Sequence, residues 1–149
     1  MSKPIYVLNG PNLNRLGTRE PAIYGATTLA EVETMCRAAA GGHAIEFRQT
    51  NAEHQLVDWI HEAIDHGAGI VINPAGLTFR SIPIMDALKM FPGPIFELHI
   101  SNVHRREAIY HHSLMSAVAT AVLMGLGPDG YPTAVAAMVR LLAAKTTGA

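Results

Sequence analysis

The sequence carries little charge and has no excess of either sign. Only 15% of its 149 residues are charged, and 11 Lys and Arg against 12 Asp and Glu give a formal net charge of -1. A chain without a basic excess produces no field that would gather nucleic-acid phosphates or anionic lipids. We therefore expect neither nucleic acid nor a membrane surface among its partners.

Cysteine and long apolar runs are also scarce. Cys36 is the single cysteine, which excludes an internal disulfide. No apolar run approaches the roughly 20 residues that a bilayer crossing requires, and no apolar signal region follows the opening MSKP. These features predict a cytoplasmic protein. The hydrophobic share of 49% is too high for a disordered chain and predicts one domain over residues 1–149.

Short apolar runs alternate with helical patterns along the chain. The runs predict five strands, at residues 5–8, 44–49, 69–73, 95–100 and 121–124. Thr28 with Glu31 forms a capping-box pattern, Asn51 and Ser81 are predicted to cap two further helices, and Pro132 is predicted to start a last one. This alternation predicts an α/β fold with an open five-stranded parallel sheet and helices on both faces. In such folds, ligands bind beyond the carboxyl ends of the strands.

Polar residues gather at three of these strand ends. Asn12 follows the first strand, Asn73 ends the third, and Glu97 and His99 end the fourth. Residues two apart share a face of a strand, so the Glu97 carboxylate can orient the His99 imidazole. For these two residues alone, a buried ion pair or a core histidine bonded to a neighbour is the favoured interpretation. Polar groups at three adjacent strand ends favour a functional site, because each buried polar group needs a partner.

Two other patterns carry less weight. Residues 125–130 match GxGxxG, but only about one helix of chain follows, so we interpret them as a tight turn. The histidines at positions 99, 104, 111 and 112 lack accompanying cysteines or an HExxH pattern, so we predict no metal site. The loop after strand one also lacks the Gly-Lys-Ser/Thr of a phosphate cradle, and we predict no cofactor.

Three stretches together make the chain resemble the type II 3-dehydroquinate dehydratases. They are NGPNLNRLGTREP at residues 9–21 with Tyr24 and Gly25, QLVDWIH at residues 55–61, and ELHISNVHRRE at residues 97–107. The resemblance extends over nearly the whole chain. It implies a flavodoxin-like fold, a homo-oligomer that is a dodecamer of trimers, no cofactor, and a place in the shikimate pathway or quinate catabolism. The implied reaction is that of a hydro-lyase, the anti elimination of water from the small keto acid 3-dehydroquinate through an enolate.

The resemblance also implies a role for each matching residue. Tyr24 is the general base. Because a tyrosine with a pKa of about 10 is a poor base at neutral pH, Arg19 and Arg106 are suitable neighbours for its phenolate. Asn12 stabilises the enolate through a bound water, and His99, oriented by Glu97, protonates the departing hydroxyl. The remaining roles concern binding: Asn73 with the backbone amides of Ile100 and Ser101 forms the carboxylate pocket, and Asp86 is an acid lent across a subunit interface.

Two positions depart from the family pattern. Phe79 stands where the family normally has a histidine, and Tyr110 stands where it has an arginine, and both residues belong to the end of the site that holds the ring hydroxyls. Arg80 is a candidate replacement for the missing group. Three functions therefore stay open: a genuine dehydroquinate dehydratase, a paralogue that dehydrates or enolises a less hydroxylated cyclic keto acid, and a non-catalytic carboxylate-binding relative.

Overall fold

The predicted alternation of strands and helices is present. A computed structural model describes residues 2–18, 22 and 25–146. The strands are β1 (Ile5–Asn9), β2 (Ile45–Gln49), β3 (Gly69–Asn73), β4 (Ile95–His99) and β5 (Ala121–Met124). The helices are α1 (Leu29–Ala39), α2 (Glu53–His66), α3 (Ile82–Lys89) and α4 (Gly130–Thr146). In the described part of the chain, none of the helices is long and apolar enough to cross a membrane.

The five strands form one parallel sheet in the order β2-β1-β3-β4-β5. This is the flavodoxin-like order, in which the direction of winding reverses between β1 and β3. The register pairs Asn9 of β1 with Asn73 of β3, so the two asparagines lie level at the carboxyl edge of the sheet. The predicted fold class is thereby confirmed.

Helices cover both faces of the sheet, and each face has its own apolar core. One core joins the sheet to α1 and α4 through buried residues that include Val7, Val71, Leu98, Val32 and Met138. The other joins it to α2 and α3 through residues that include Leu8, Ile72, Leu56, Ile60 and Leu88. Burying both faces explains why β1, β3 and β4 are apolar almost throughout.

Two of the predicted helix caps are confirmed and one is wrong. The Thr28 and Glu31 side chains form a reciprocal capping box, and Ser81 Oγ accepts the Ile84 N–H at 3.1 Å. Asn51 does not cap α2, because residue 52 takes the N-cap position. The Asn51 side chain instead accepts the Asn12 backbone N–H at 2.9 Å. Asn51 does lie before a helix as predicted, but its oxygen is used by the loop after β1.

Four element ends differ from the predicted bounds. Strand β1 ends one residue later than predicted, at Asn9, and β2 begins one residue later, at Ile45. Helix α4 begins at Gly130, two residues before Pro132, because a 3-10 helix over Gly127–Asp129 leads directly into it. Pro132 is accommodated in the first turn, because backbone N–H groups there have no acceptor within the helix and proline's lack of an N–H breaks no hydrogen bond. Strand β4 ends at His99, one residue earlier than predicted.

Candidate active site

A cavity of about 190 Å³ lies at the carboxyl ends of β1, β3 and β4, next to the reversal point of the sheet. Eight of the sequence-predicted site residues line it together: Asn12, Asn73, Phe79, His99, Ile100, Ser101, Arg106 and Tyr110. A larger and more open groove, of about 990 Å³, adjoins the cavity and shares its residues 100, 101, 106 and 110. The position agrees with the edge at which flavodoxin-like sheets bind ligands.

Glu97 and His99 form the buried polar pair of this cavity. The His99 imidazole Nε2 lies 2.5 Å from Glu97 Oε2, and His99 is 5% exposed while Glu97 is fully buried. His99 lines the cavity and Glu97 lies behind it, so the carboxylate contacts the imidazole and not the ligand space. Since Nε2 is engaged by Glu97, Nδ1 is the ring nitrogen that remains to exchange a proton with a ligand.

The Glu97 carboxylate has two further donors that the sequence patterns did not single out. Ser113 Oγ donates to Oε2 at 2.7 Å, and Ser116 Oγ donates to Oε1 at 2.6 Å. Burial alone would raise the pKa of Glu97, but hydrogen bonds from His99, Ser116 and Ser113 outweigh it and hold the pKa below its ordinary value. Glu97 is therefore an anion at neutral pH.

Asn73 belongs to a buried chain of side chains that fixes its orientation. Its Nδ2 donates to Tyr131 Oη at 3.0 Å, Tyr131 Oη donates to Asn9 Oδ1 at 2.7 Å, and Asn73 Oδ1 accepts the Ala75 N–H at 3.1 Å. Burial raises the pKa of Tyr131, so its phenol stays neutral and keeps its proton for Asn9. One Nδ2 hydrogen of Asn73 remains available to a ligand in the cavity.

Asn12 lies on the loop after β1 and lines the cavity. Its φ of 73° places it in the left-handed region, which asparagine tolerates better than most residues. Asn51 Oδ1 accepts a hydrogen bond from the backbone N–H of Asn12, and Gln49 Nε2 donates to the Gly10 carbonyl at 3.1 Å. The Asn12 side chain makes no hydrogen bond to the described residues, so its amide is free for a ligand.

Phe79 and Tyr110 form an aromatic wall on one side of the cavity. The Phe79 ring is stacked on the His99 imidazole with centroids 6.1 Å apart, and it meets the Tyr110 ring edge-on at 5.4 Å. The Arg106 guanidinium lies 4.2 Å from the Tyr110 ring centre, within cation–π distance. The two residues that the resemblance marks as departures are thus neighbours, and both present ring surface to the cavity.

The other predicted site residues lie away from this cavity or outside the described residues. Arg80 ends the 3-10 helix Ala75–Phe79, is exposed, and is not among the residues lining the cavity. Asp86 lies on the exposed side of α3, where its carboxylate is 3.7 Å from Lys89 Nζ. Arg19 and Tyr24 fall outside the described residues.

The sequence analysis assigned no role in the site to Ser113, Ser116 or Tyr131. These residues reach their partners over separations of 16, 19 and 122 positions, and the serines lie in a segment without helical or strand periodicity. In the described part of the chain, no three His, Cys, Asp or Glu side chains come together as metal ligands.

The fold and the cavity define a class of protein: a flavodoxin-like α/β protein with a small-molecule site at the switch point of its sheet. The site combines a carboxylate-bound imidazole, two amides and a guanidinium, which suits an anionic ligand and a proton transfer.

Comparison with known proteins gives the family. The family model for dehydroquinase class II matches residues 3–139. The chain is 53% identical over 137 residues to the 3-dehydroquinate dehydratase 2 of Agrobacterium fabrum, covering 91% of this chain and 93% of that protein. It is 52% identical over 147 residues to the 3-dehydroquinate dehydratase of Methylobacterium radiotolerans, covering 97% and 99%. The chain belongs to the class II dehydroquinase family.

Solved structures agree with this assignment. The type II dehydroquinase of Propionibacterium acnes superimposes with a TM-score of 0.89 at 44% identity, covering 94% of this chain and 98% of that one. Of the three functions that the sequence left open, these comparisons support the dehydratase, and nothing in them favours the paralogue or the non-catalytic relative.

Proposed function

We propose that this protein is a 3-dehydroquinate dehydratase, a hydro-lyase that eliminates water from 3-dehydroquinate through an enolate. The observation that carries the proposal is the Glu97–His99 pair, which presents one imidazole nitrogen to a cavity that also holds Asn12, Asn73 and Arg106. Support also comes from the family membership and from relatives of that activity at about half identity along almost the whole chain.

The substrate carboxylate binds first, at the carboxyl edge of the sheet. The free Nδ2 hydrogen of Asn73 and the backbone N–H groups of Ile100 and Ser101 serve as its donors. The Ser101 N–H donates no hydrogen bond to the described residues, so a ligand carboxylate is a suitable acceptor for it. Placing the carboxylate there brings the ring across the cavity towards His99.

Proton transfer then proceeds in two steps. Tyr24, as phenolate, removes the proton beside the ketone, and the electron pair forms an enolate whose oxygen is stabilised through Asn12 and a bound water. The enolate re-forms the ketone as the C–O bond breaks, and the protonated imidazole of His99 gives its proton to the departing hydroxyl, so that water leaves. Arg19 and Arg106 provide positive charge for the phenolate.

An assay of enone formation from 3-dehydroquinate tests the proposal. We expect turnover by the wild-type protein, loss of turnover with carboxylate binding retained in Tyr24→Phe, and loss of both in His99→Ala. His104→Ala is the matched control, because that histidine is exposed and does not line the cavity. Activity only on another keto acid, or binding without turnover of any substrate, would contradict the proposal in favour of the paralogue or the non-catalytic relative.

The proposal extends to assembly and location. The protein works in the cytoplasm as a dodecamer built from trimers, in which Asp86 of one subunit lies near the site of another. The exposed position of Asp86 on α3, outside the cavity of its own chain, supports this arrangement. Light scattering should give about twelve times the 16.0 kDa chain mass, and a monomer at micromolar concentration would contradict it.

A further inference from the structure

The Glu97 carboxylate is the most completely enclosed charged group among the described residues. It has no exposed surface, and it receives three hydrogen bonds, from His99 Nε2 and from the hydroxyls of Ser113 and Ser116. Three donors on one carboxylate are enough to offset the cost of removing it from water. Only His99 reaches the cavity, so the two serines act on the site through Glu97.

The hydroxyl of Ser113 has a fixed direction. Its oxygen accepts the backbone N–H groups of Met115 at 3.0 Å and Ser116 at 3.2 Å, so its single hydrogen is left to point at Glu97 Oε2. The turn that carries it is anchored by fully buried Met115 and by the Leu114 N–H, which donates to the Thr78 carbonyl at 3.0 Å. Ser113 therefore donates a hydrogen bond to Glu97 and cannot accept one from it.

Among the described residues, Glu97 has no charged partner besides His99. Its register neighbours are Ile72 on β3 and Val122 on β5, both apolar. Within the described residues, His99 is the only titratable or charged side chain that bonds to Glu97 or biases its charge. The charge of Glu97 thus depends on three hydrogen bonds, two of them from serines.

We propose that Ser113 and Ser116 are positioning residues that keep Glu97 an anion. The proton that lies between Glu97 and His99 then stays on His99 Nε2. With that proton held on the imidazole, the proton that His99 gives to the departing hydroxyl comes from Nδ1, and Nε2 keeps its own. This role rests on the proposed function, but the protonation state of His99 can be measured without turnover.

Removing the serines should change the pH dependence of catalysis. Without their donors, burial raises the pKa of Glu97 and the carboxylate takes up a proton at higher pH. We expect kcat on 3-dehydroquinate to fall about tenfold in Ser113→Ala and several-fold in Ser116→Ala, whose exposed position lets water replace the hydroxyl. In the double variant, the acidic limb of the kcat profile should move up by about one pH unit. KM should stay within about twofold, because neither hydroxyl reaches the cavity.

Two matched variants separate positioning from a merely structural role. Ser116→Thr keeps a hydroxyl and should restore the wild-type pH profile. Thr120 lies in the same loop, and its hydroxyl accepts the Ile95 N–H at 3.0 Å at the other end of β4. Thr120→Ala should therefore lower stability without moving the acidic limb of the kcat profile. If the double serine variant loses stability but keeps the wild-type limb, as Thr120→Ala does, the proposal is wrong.

Nitrogen NMR of the histidine rings tests the same role in the absence of substrate. The His99 signals are identified by their loss in His99→Gln. In the wild type we expect His99 Nε2 to carry a proton over the neutral range. As the pH falls, the double serine variant should lose this Nε2 proton to Glu97 at a higher pH than the wild type does. An unchanged His99 ring would overturn the positioning role. An inactive wild type with the expected ring change would instead overturn the proposed function alone.

Discussion

Phe79 and Tyr110 define the sharpest test of how this cavity treats its substrate. The resemblance to the family implies a histidine and an arginine at these positions, and the structure has the two rings 5.4 Å apart on one wall. We predict that Phe79→His with Tyr110→Arg raises kcat/KM on 3-dehydroquinate, because the new donors bond ring hydroxyls that the aromatic wall leaves without partners.

The expected change in activation free energy is the contribution of the new hydrogen bonds less that of the aromatic pair that they replace. A hydrogen bond to a neutral group contributes about 1 kcal/mol and one to a charged group about 1.5–3 kcal/mol. The double change gives up an aromatic pair worth about 0.5–1.5 kcal/mol and sets a second cation beside Arg106. Because the wall contacts both His99 and Arg106, the effects of the two changes should not add fully. We expect a net increase of about tenfold in kcat/KM, which corresponds to about 1.4 kcal/mol, and smaller increases for each single variant.

Steady-state assays with 3-dehydroquinate measure this effect, and Ile109→Arg provides the control. Ile109 is 67% exposed and does not line the cavity, so the variant adds the same charge beside position 110 without reaching the ligand. A kcat/KM in the double variant that is equal to or below the wild type, with a stable fold, would refute the reasoning. It would mean that the aromatic wall takes part in normal turnover.

Two further predictions concern charged residues outside the cavity. Arg80→Ala should leave kcat/KM within about twofold, because the exposed Arg80 does not line the cavity; a large loss in the same assay would show that Arg80 replaces the missing family group. Hydrogen bonds from Arg48 and Tyr6 lower the pKa of Glu62 to about 2, so its stabilising effect is present above about pH 4.5 and is lost as the pH falls towards 2. Glu62→Gln should lower the free energy of unfolding by about 1 kcal/mol at pH 7, a modest figure because Glu62 is 39% exposed, and by less at pH 3 in urea titrations. An equal loss at both pH values would contradict this.

The sequence predicted those parts of the site that depend on regular structure. The period of a strand is sufficient to place Glu97 and His99 on one face, and the parallel register is sufficient to bring Asn73 beside the loop that carries Asn12. The roles of Ser113 and Ser116 could not be predicted, because their contacts depend on how an irregular segment folds back on β4. The prediction for Asn51 was wrong for a related reason: one side-chain oxygen had two possible partners, and only the tertiary structure decides between a helix cap and a distant loop.

The acid pair and the aromatic wall are linked through a closed circuit of contacts. Thr78 accepts the Leu114 N–H, the adjacent Ser113 donates to Glu97, Glu97 holds His99, and His99 stacks on Phe79, which follows Thr78 in the chain. Groups that share such a network are coupled, whereas distant groups act independently.

We therefore predict that Phe79→Leu and Ser116→Ala are not additive in kcat. Removing the Phe79 ring leaves the His99 imidazole without its stacking partner, so the ring depends more heavily on Glu97 and on the hydroxyls that fix that carboxylate. A double-mutant cycle should give a coupling energy of at least about 0.5 kcal/mol. The cycle of Phe79→Leu with Thr120→Ala should be additive, because Thr120 bonds the far end of β4. Equal results from the two cycles would mean that the circuit is present in the fold but does not transmit changes between the wall and the acid pair.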